Sequence, residues 1–296
     1  MLINRLAIIG VGLIGGSLAR ALRYKKLCGS IIGFGRNRDN LKKAVELNVI
    51  DEFSEDIGRV VKDADVVVIA TPLATYEKLF LEMRASLNSS VVITDVGSVK
   101  GNVVDAARRT LGDLFSQFIP GHPIAGNEKS GVEASFAELF DAHRVILTPL
   151  PESNVHAIHL ITQMWEATGA DVVTLDVEHH DAILAATSHL PHLLAYSLVD
   201  CLASMQDRKE IFKFAAGGFA DFSRIASSNP QMWHDICFAN RKQLLATVDK
   251  FTDHLNDIKQ AIEEEDSAAL LSIFTRAKQE RDKFTDKRTK RNDSPE

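Results

Sequence analysis

The sequence predicts an α/β chain: a doubly wound parallel sheet first, then an all-helical part. Three observations predict this. Short apolar runs alternate with helical segments up to about Asp176. Runs such as Val66–Ile69 are apolar throughout rather than alternating, the pattern of strands covered on both faces. Beyond Asp176 the strand signal stops and only helical periodicity continues. The expected division is residues 1–176 and 177–296.

The expected strands are Leu6–Ile9, Ser30–Phe34, Asp65–Ala70, Val91–Thr94, Arg144–Thr148 and Val172–Leu175. Between them the helical period selects Leu13–Tyr24, Arg38–Leu47, Tyr76–Ser86 and Val99–Leu111. That alternation places the strands in one parallel sheet with helices on its faces. In the second part helices are expected at Ala182–Met205, Lys209–Phe214, Met232–Glu264 and Ser267–Phe284. Pro191 should bend or divide the first of these. Gly217-Gly218 and Asn229-Pro230 punctuate the others. From about Lys287 the end is charged and is expected to fray.

The bulk numbers narrow the function classes. The 296 residues suffice for about two domains. A net charge of −6 argues against a general nucleic-acid binder. The cysteines Cys28, Cys201 and Cys237 are far apart and form no C-x-x-C pair, which fits a reduced compartment. No leader is expected, and no apolar stretch is read as long enough to cross a bilayer. A cytoplasmic protein with no membrane partner is the expectation.

Leu6–Ile9 runs into G-V-G-L-I-G-G-S, a strand, a tight turn and a helix start. Gly10 permits the turn, Gly12 lets backbone N–H groups approach a pyrophosphate, and Gly15 allows close helix–strand contact. Leu13 and Ile14 at the helix start, and Thr71 after the third apolar run, are further expected cofactor contacts. An acid closing the second strand would read a ribose 2′-hydroxyl. Instead the chain has Gly33-Phe34-Gly35-Arg36-Asn37-Arg38. A glycine there leaves room, and Arg36 and Arg38 suit a 2′-phosphate, so NADP is favoured over NAD.

Five segments then carry polar chemistry in a fixed order: Thr94-Asp95-Val96-Gly97-Ser98-Val99-Lys100, Gly121-His122-Pro123-Ile124-Ala125-Gly126-Asn127-Glu128-Lys129-Ser130-Gly131, His180-Asp181, Ser188-His189-Leu190-Pro191-His192, and Gly217–Ala226 with Arg224. In order and spacing they closely resemble the prephenate/arogenate dehydrogenase family of tyrosine biosynthesis. The resemblance spans Leu6 to about Phe284. It implies a Rossmann-type domain followed by a helical dimerisation domain, hence a homodimer. It also implies oxidative decarboxylation of a cyclohexadienol, with hydride passing from ring C4 to NAD(P).

By that resemblance His122 accepts the C4 hydroxyl proton, and Ser98 bonds the same hydroxyl and orients His122. Arg224 binds a substrate carboxylate, a partner suited to two parallel guanidinium hydrogen bonds. His189, His192 and Asn127 line the substrate pocket, and His180-Asp181 shapes it and orients the histidine. Taken alone, His122 would read as a loop histidine and Arg224 as a surface ion pair. Trp233 and Phe222 read as core or interface aromatics. His179, His180, His189 and His192 fit no common zinc spacing, so no metal is expected. Two other readings compete: a β-hydroxyacid dehydrogenase, which would need a catalytic lysine on the helical side, and a nucleotide sensor that has lost catalysis.

Overall fold

The computed structural model describes residues 1–126 and 129–292. In chain order the first part comprises β1 (Ile3–Ile9), α1 (Leu13–Tyr24), β2 (Cys28–Phe34), α2 (Arg38–Glu46), β3 (Glu52–Phe53), α3 (Ile57–Val61), β4 (Val66–Ile69), α4 (Tyr76–Arg84), β5 (Val92–Asp95), α5 (Gly101–Thr110) and β6 (Phe118–Ile119). These strands form one six-stranded sheet in the order β3-β2-β1-β4-β5-β6, every pairing parallel.

Alternation along β1 explains why Leu6–Ile9 are all apolar. Leu6 and Ile8 enter one buried cluster with Leu18 and Leu22 of α1, while Ala7 and Ile9 enter another with Phe80 of α4 and Val103 of α5. The register aligns Ile9 with Phe34 and Ile69, and Ile69 with Asp95. Four strand ends therefore lie at one edge. Strand order reverses between β1 and β4, and in such sheets ligands bind beyond that reversal.

β7 (Gly121–Pro123), β8 (Arg144–Leu147), α6 (Val155–Glu166) and β9 (Asp171–Thr174) follow. This corrects one expectation. The runs at Arg144 and Val172 do not extend the parallel sheet but form a second, three-stranded sheet, with β7 antiparallel and β9 parallel to β8. Pro120 stands between β6 and β7 and has no N–H for a ladder, so the chain changes sheets there. The sequence reading also missed α6, which buries Ala157, Ile161, Met164 and Trp165 at helical spacing and is capped by Asn154.

The remainder is helical: α7 (Val177–Leu184), a π-turn at Ala185–His189, α8 (Leu190–Ser204), α9 (Arg208–Lys213), α10 (Gly217–Ser223), α11 (Pro230–Ala239), α12 (Arg241–Glu263) and α13 (Ser267–Asn292). Pro191 sits in the first turn of α8, where a missing N–H costs nothing. The long helix expected from Met232 is broken at Asn240. Of the end expected to fray from Lys287, α13 takes in the residues up to Asn292, and residues 293–296 lie outside the described residues. By packing, the chain divides into Met1–Leu244 and Leu245–Glu296.

Contrary to the sequence expectation, one helical run, Val177–Ser204, is long and apolar enough to cross a membrane by length and composition, with a mean hydropathy of 1.3 over an 18-residue stretch of it. Its buried His180, Asp181 and His189 are hydrogen-bonded within the first unit. Those bonds bind the run into the fold.

The packing around α1 makes a direct test. A Cβ on Gly15 would lie 2.4 Å from the Gly10 carbonyl oxygen, whereas one on Gly12 meets nothing within 4 Å. Gly15→Ala is expected to lower unfolding free energy by about 1–3 kcal/mol. Gly12→Ala should stay within about 0.5 kcal/mol. Urea unfolding measures both.

Candidate active site

The loops after β1, β2 and β4 enclose a groove of about 510 Å³ lined by Gly10, Gly12, Arg36, Asn37, Thr71 and Thr75 among others. Gly10 has φ +103°, and a Cβ there would lie 2.5 Å from the Ala70 carbonyl oxygen. The N-terminus of α1 at Gly12 carries no side-chain cap. Its first N–H groups, those of Leu13 and Ile14 included, thus stand open to an anion beside unfilled space. Thr71 and Thr75 share a hydroxyl hydrogen bond of 2.8 Å. These residues fit a dinucleotide.

The two expected arginines separate. Arg36 lines the groove. Arg38 instead pairs with Glu55 at 3.6 Å on the exposed side of α2 and is not among the lining residues. Gly35, just past the end of β2, lines the groove as well, and a Cβ there would meet only Leu41 at 3.6 Å, whereas Gly33 is packed against Ile50 and Val11.

Beside this edge a buried ion pair organises the loop between β5 and α5 and the start of β7. Lys100 Nζ lies 2.6 Å from Asp95 Oδ2, and both side chains are wholly buried. The Asp95 carboxylate also accepts from the N–H of Gly97 at 2.8 Å and of Gly121 at 3.1 Å. Lys100 Nζ donates to the Gly121 carbonyl at 2.5 Å. Burial lowers the Lys100 pKa, and Asp95 partly restores it. The pair therefore grips both polar groups of Gly121, the residue that enters β7 just before His122. Ser98 is half-buried in the loop between Asp95 and Lys100.

His122 heads a hydrogen-bonded chain. Its Nδ1 lies 2.9 Å from His180 Nε2, and His180 Nδ1 lies 2.8 Å from Asp181 Oδ1. Asp181 also accepts from the backbone N–H groups of Lys100 and Gly101, each at 2.8 Å. A carboxylate only accepts, so His180 carries its proton on Nδ1. His180 Nε2 is then an acceptor and takes the Nδ1–H of His122. That leaves Nε2 of His122 bare, a lone pair held in one tautomer by Asp181.

Burial pushes the His122 pKa well below its ordinary value, reinforced by His180 and Lys100. Burial likewise lowers His180. For Asp181, burial acts upward, but the bonds from His180 and the two backbone N–H groups outweigh it and hold the carboxyl below its usual range.

His189 and His192 lie further along the same helical run, whereas Arg224 begins a separate short turn at Arg224–Ser227. His189 is buried, and its pKa is pushed down to about 4, chiefly by burial. His192 donates Nδ1–H to the Ser188 carbonyl at 2.9 Å and stacks on Trp233 at 3.6 Å between ring centroids. Burial lowers the His192 pKa, and Arg224 lies near enough to lower it further. Phe222 is exposed rather than core. Asn127 and Glu128 lie outside the described residues.

Sequence reasoning gave no role to Asp95, Lys100 or Asn240. The first two lie inside the quoted T-D-V-G-S-V-K segment, whose lysine, five residues after an aspartate, was the available signal. Asn240 stands at the break between α11 and α12, inside a stretch that reads as one helix in the sequence.

These shifts set a sign for pH. Between their folded pKa values and about 6.5, the unfolded chain binds protons that the buried imidazoles refuse, so stability is full above that window and falls as pH drops through it. Asp181 acts in the same direction at lower pH, since its stabilisation is lost as the carboxylate protonates. Urea midpoints are expected to fall between about pH 7.5 and about pH 5. A flat profile would contradict the buried, neutral imidazoles.

Comparison with known proteins gives the geometry its context. The family description "Prephenate dehydrogenase, nucleotide-binding domain" matches residues 18–174, and "Prephenate dehydrogenase, dimerization domain" matches residues 176–276. The cyclohexadienyl dehydrogenase of Zymomonas mobilis is 36% identical over 280 residues, covering 94% of this chain and 95% of that protein. The prephenate dehydrogenase of Bacillus subtilis is 37% identical, covering 94% of this chain and 76% of that protein. The Aquifex aeolicus prephenate dehydrogenase, crystallised with hydroxyphenyl propionate and NAD+, superposes with a TM-score of 0.90 at 37% identity, covering 95% of this chain and 98% of that one. Synechocystis arogenate dehydrogenase gives 0.81 at 27% identity, covering 95% and 99%. With a nucleotide-binding edge and a buried histidine chain beside it, the chain belongs to the prephenate/arogenate dehydrogenase family of NAD(P)-dependent oxidoreductases.

Proposed function

We propose that this protein oxidises prephenate or arogenate, transferring hydride from ring C4 to NAD(P)+ with loss of CO2, and that His122 is the residue that handles the C4 hydroxyl proton. The observation that carries this reading is the bare Nε2 of His122, fixed by the Asp181–His180 chain. A bound nicotinamide supplies the hydride acceptor. As the C4–O bond gains double-bond character, the hydroxyl proton moves toward His122 Nε2. As the C1 carboxylate leaves, its bonding electrons enter the ring, and the proton returns to the oxygen of the new phenol. Hydride, CO2 and proton then balance. A neutral base is available because burial opposes the imidazolium.

In this reading Ser98 shares the hydroxyl, Arg224 takes a substrate carboxylate, His192 contacts the side chain, and His189 and Asn127 complete the substrate-binding set. The cofactor lies over Gly10, Gly12, Leu13, Ile14 and Gly15 with Thr71 beside it. Arg36 and the missing acid at the end of β2 favour NADP. Residues 1–176 form the nucleotide-binding domain and 177–296 a domain that pairs with a second copy, in a cytoplasmic homodimer. The dimerization-domain match supports that pairing.

The test is reduced-nicotinamide absorbance with prephenate or arogenate against NAD+ or NADP+. Turnover with at least one pair is expected, and silence with cofactor bound would favour a nucleotide sensor. His122→Asn should lower kcat by about 10²–10⁴-fold with cofactor binding retained. Arg36→Ala should raise KM for NADP+ about tenfold and spare NAD+. An unchanged NADP+ value would overturn the preference.

A further inference from the structure

Asn240, where α11 ends, is buried, and its amide settles the state of a neighbouring histidine. Its Nδ2 lies 2.8 Å from the Asp181 carbonyl oxygen and 3.1 Å from His189 Nδ1. A backbone carbonyl only accepts, so the group facing it is the NH2, and the amide orientation is fixed. The same NH2 faces His189 Nδ1, which must then be the acceptor. His189 therefore carries its proton on Nε2. Among the described residues that Nε2 has no hydrogen-bond partner, although His189 is only 1% exposed. A buried donor without a partner is costly, and such atoms are normally satisfied by protein, water or ligand.

The neighbourhood points to a ligand. His189 is close enough to His122 to influence it. It stands edge-on to Trp233, with ring centroids 6.2 Å apart, and Trp233 stacks on His192. Trp233 Nε1 is also buried and without a partner among the described residues. One turn along, His192 is in the opposite tautomer, its Nδ1–H spent on Ser188. The two histidines of this segment thus differ in what they offer: His189 a donor, neutral His192 an acceptor.

We propose that Asn240 is a positioning residue, which locks His189 as an Nε2–H donor for a carboxylate oxygen of the substrate. The inference rests on the proposed reaction for the identity of that substrate and goes beyond it by naming the donor, its tautomer and the residue that sets it. It also ties recognition to catalysis, because the Asn240 amide bonds the backbone of Asp181, the residue that ends the His122 chain.

Three ligands and three variants test it. The ligands are prephenate, with a ring and a side-chain carboxylate, hydroxyphenylpropionate, with the side-chain one alone, and 4-ethylphenol, with neither. His189→Leu is expected to weaken prephenate about tenfold or more, read as KM with kcat falling much less, and to leave 4-ethylphenol affinity unchanged. Weakening of prephenate alone identifies the ring carboxylate, and weakening of hydroxyphenylpropionate as well identifies the side-chain one. Equal weakening of 4-ethylphenol, or no weakening of any ligand, overturns the proposal. His189→Gln, which keeps an amide N–H near the Nε2 position, should recover affinity to within about threefold.

Asn240→Asp replaces the donating NH2 with an acceptor, which draws the His189 proton to Nδ1 and should reproduce the His189→Leu loss. A nitrogen-15 imidazole spectrum of the unaltered protein reads the tautomer without activity. His189 neutral with a protonated Nε2 supports the proposal, and a bare Nε2 overturns it. Absence of turnover with any substrate would sink the proposed reaction, while the spectrum and the three ligand affinities, read by calorimetry, would still decide this inference.

Discussion

The site depends on one fully buried ion pair, Asp95 with Lys100. Burying two charges is costly, and a pair of this kind adds stability only when further hydrogen bonds satisfy both partners. Here they do. The Asp95 carboxylate takes two backbone N–H groups besides the ammonium, and the ammonium takes a backbone carbonyl. Two of those partners are the N–H and C=O of Gly121. The peptide leading into His122 is thus held from both sides.

Lys100 acts a second time, through its backbone. Its N–H and that of Gly101, at the start of α5, hold the Asp181 carboxylate that ends the histidine chain. One short loop between β5 and α5 therefore fixes both ends of the catalytic arrangement: the strand that carries His122 and the anion that sets its tautomer. The electrostatics agree with a proton that is shared and returned. Buried imidazoles resist charging, and Asp181 stays ionised because its hydrogen bonds offset its burial. The parallel sheet supplies the rest, because its register brings the ends of β1, β4 and β5 to one edge.

Much of the fold was legible because strands buried on both faces leave continuous apolar runs. The helix after the glycine loop was placed from Leu13 to Tyr24, as observed. What failed had identifiable physical causes. β3 and β6 are two residues each, too short for any period to show. The runs at Arg144 and Val172 looked like further parallel strands, since composition does not say which sheet a strand joins. The run from Val177 hid its overall hydropathy because His179, His180, Asp181, His189, Pro191 and His192 interrupt its apolar residues. In the site, residues inside a compact motif announced themselves, as His122 did. Residues that act through backbone groups did not. Gly121 is gripped through its peptide, and Asn240 works through a carbonyl and a ring nitrogen that are remote in sequence. Arg38, which looked equivalent to Arg36, is diverted by Glu55.

The most direct test of the central claim is the protonation state of His122 in the folded protein, read from its imidazole nitrogen-15 shifts near neutral pH. The account predicts a neutral ring with the proton on Nδ1 and a bare Nε2, because Asp181 and His180 dictate that tautomer. A ring protonated on Nε2, or an imidazolium, would contradict it.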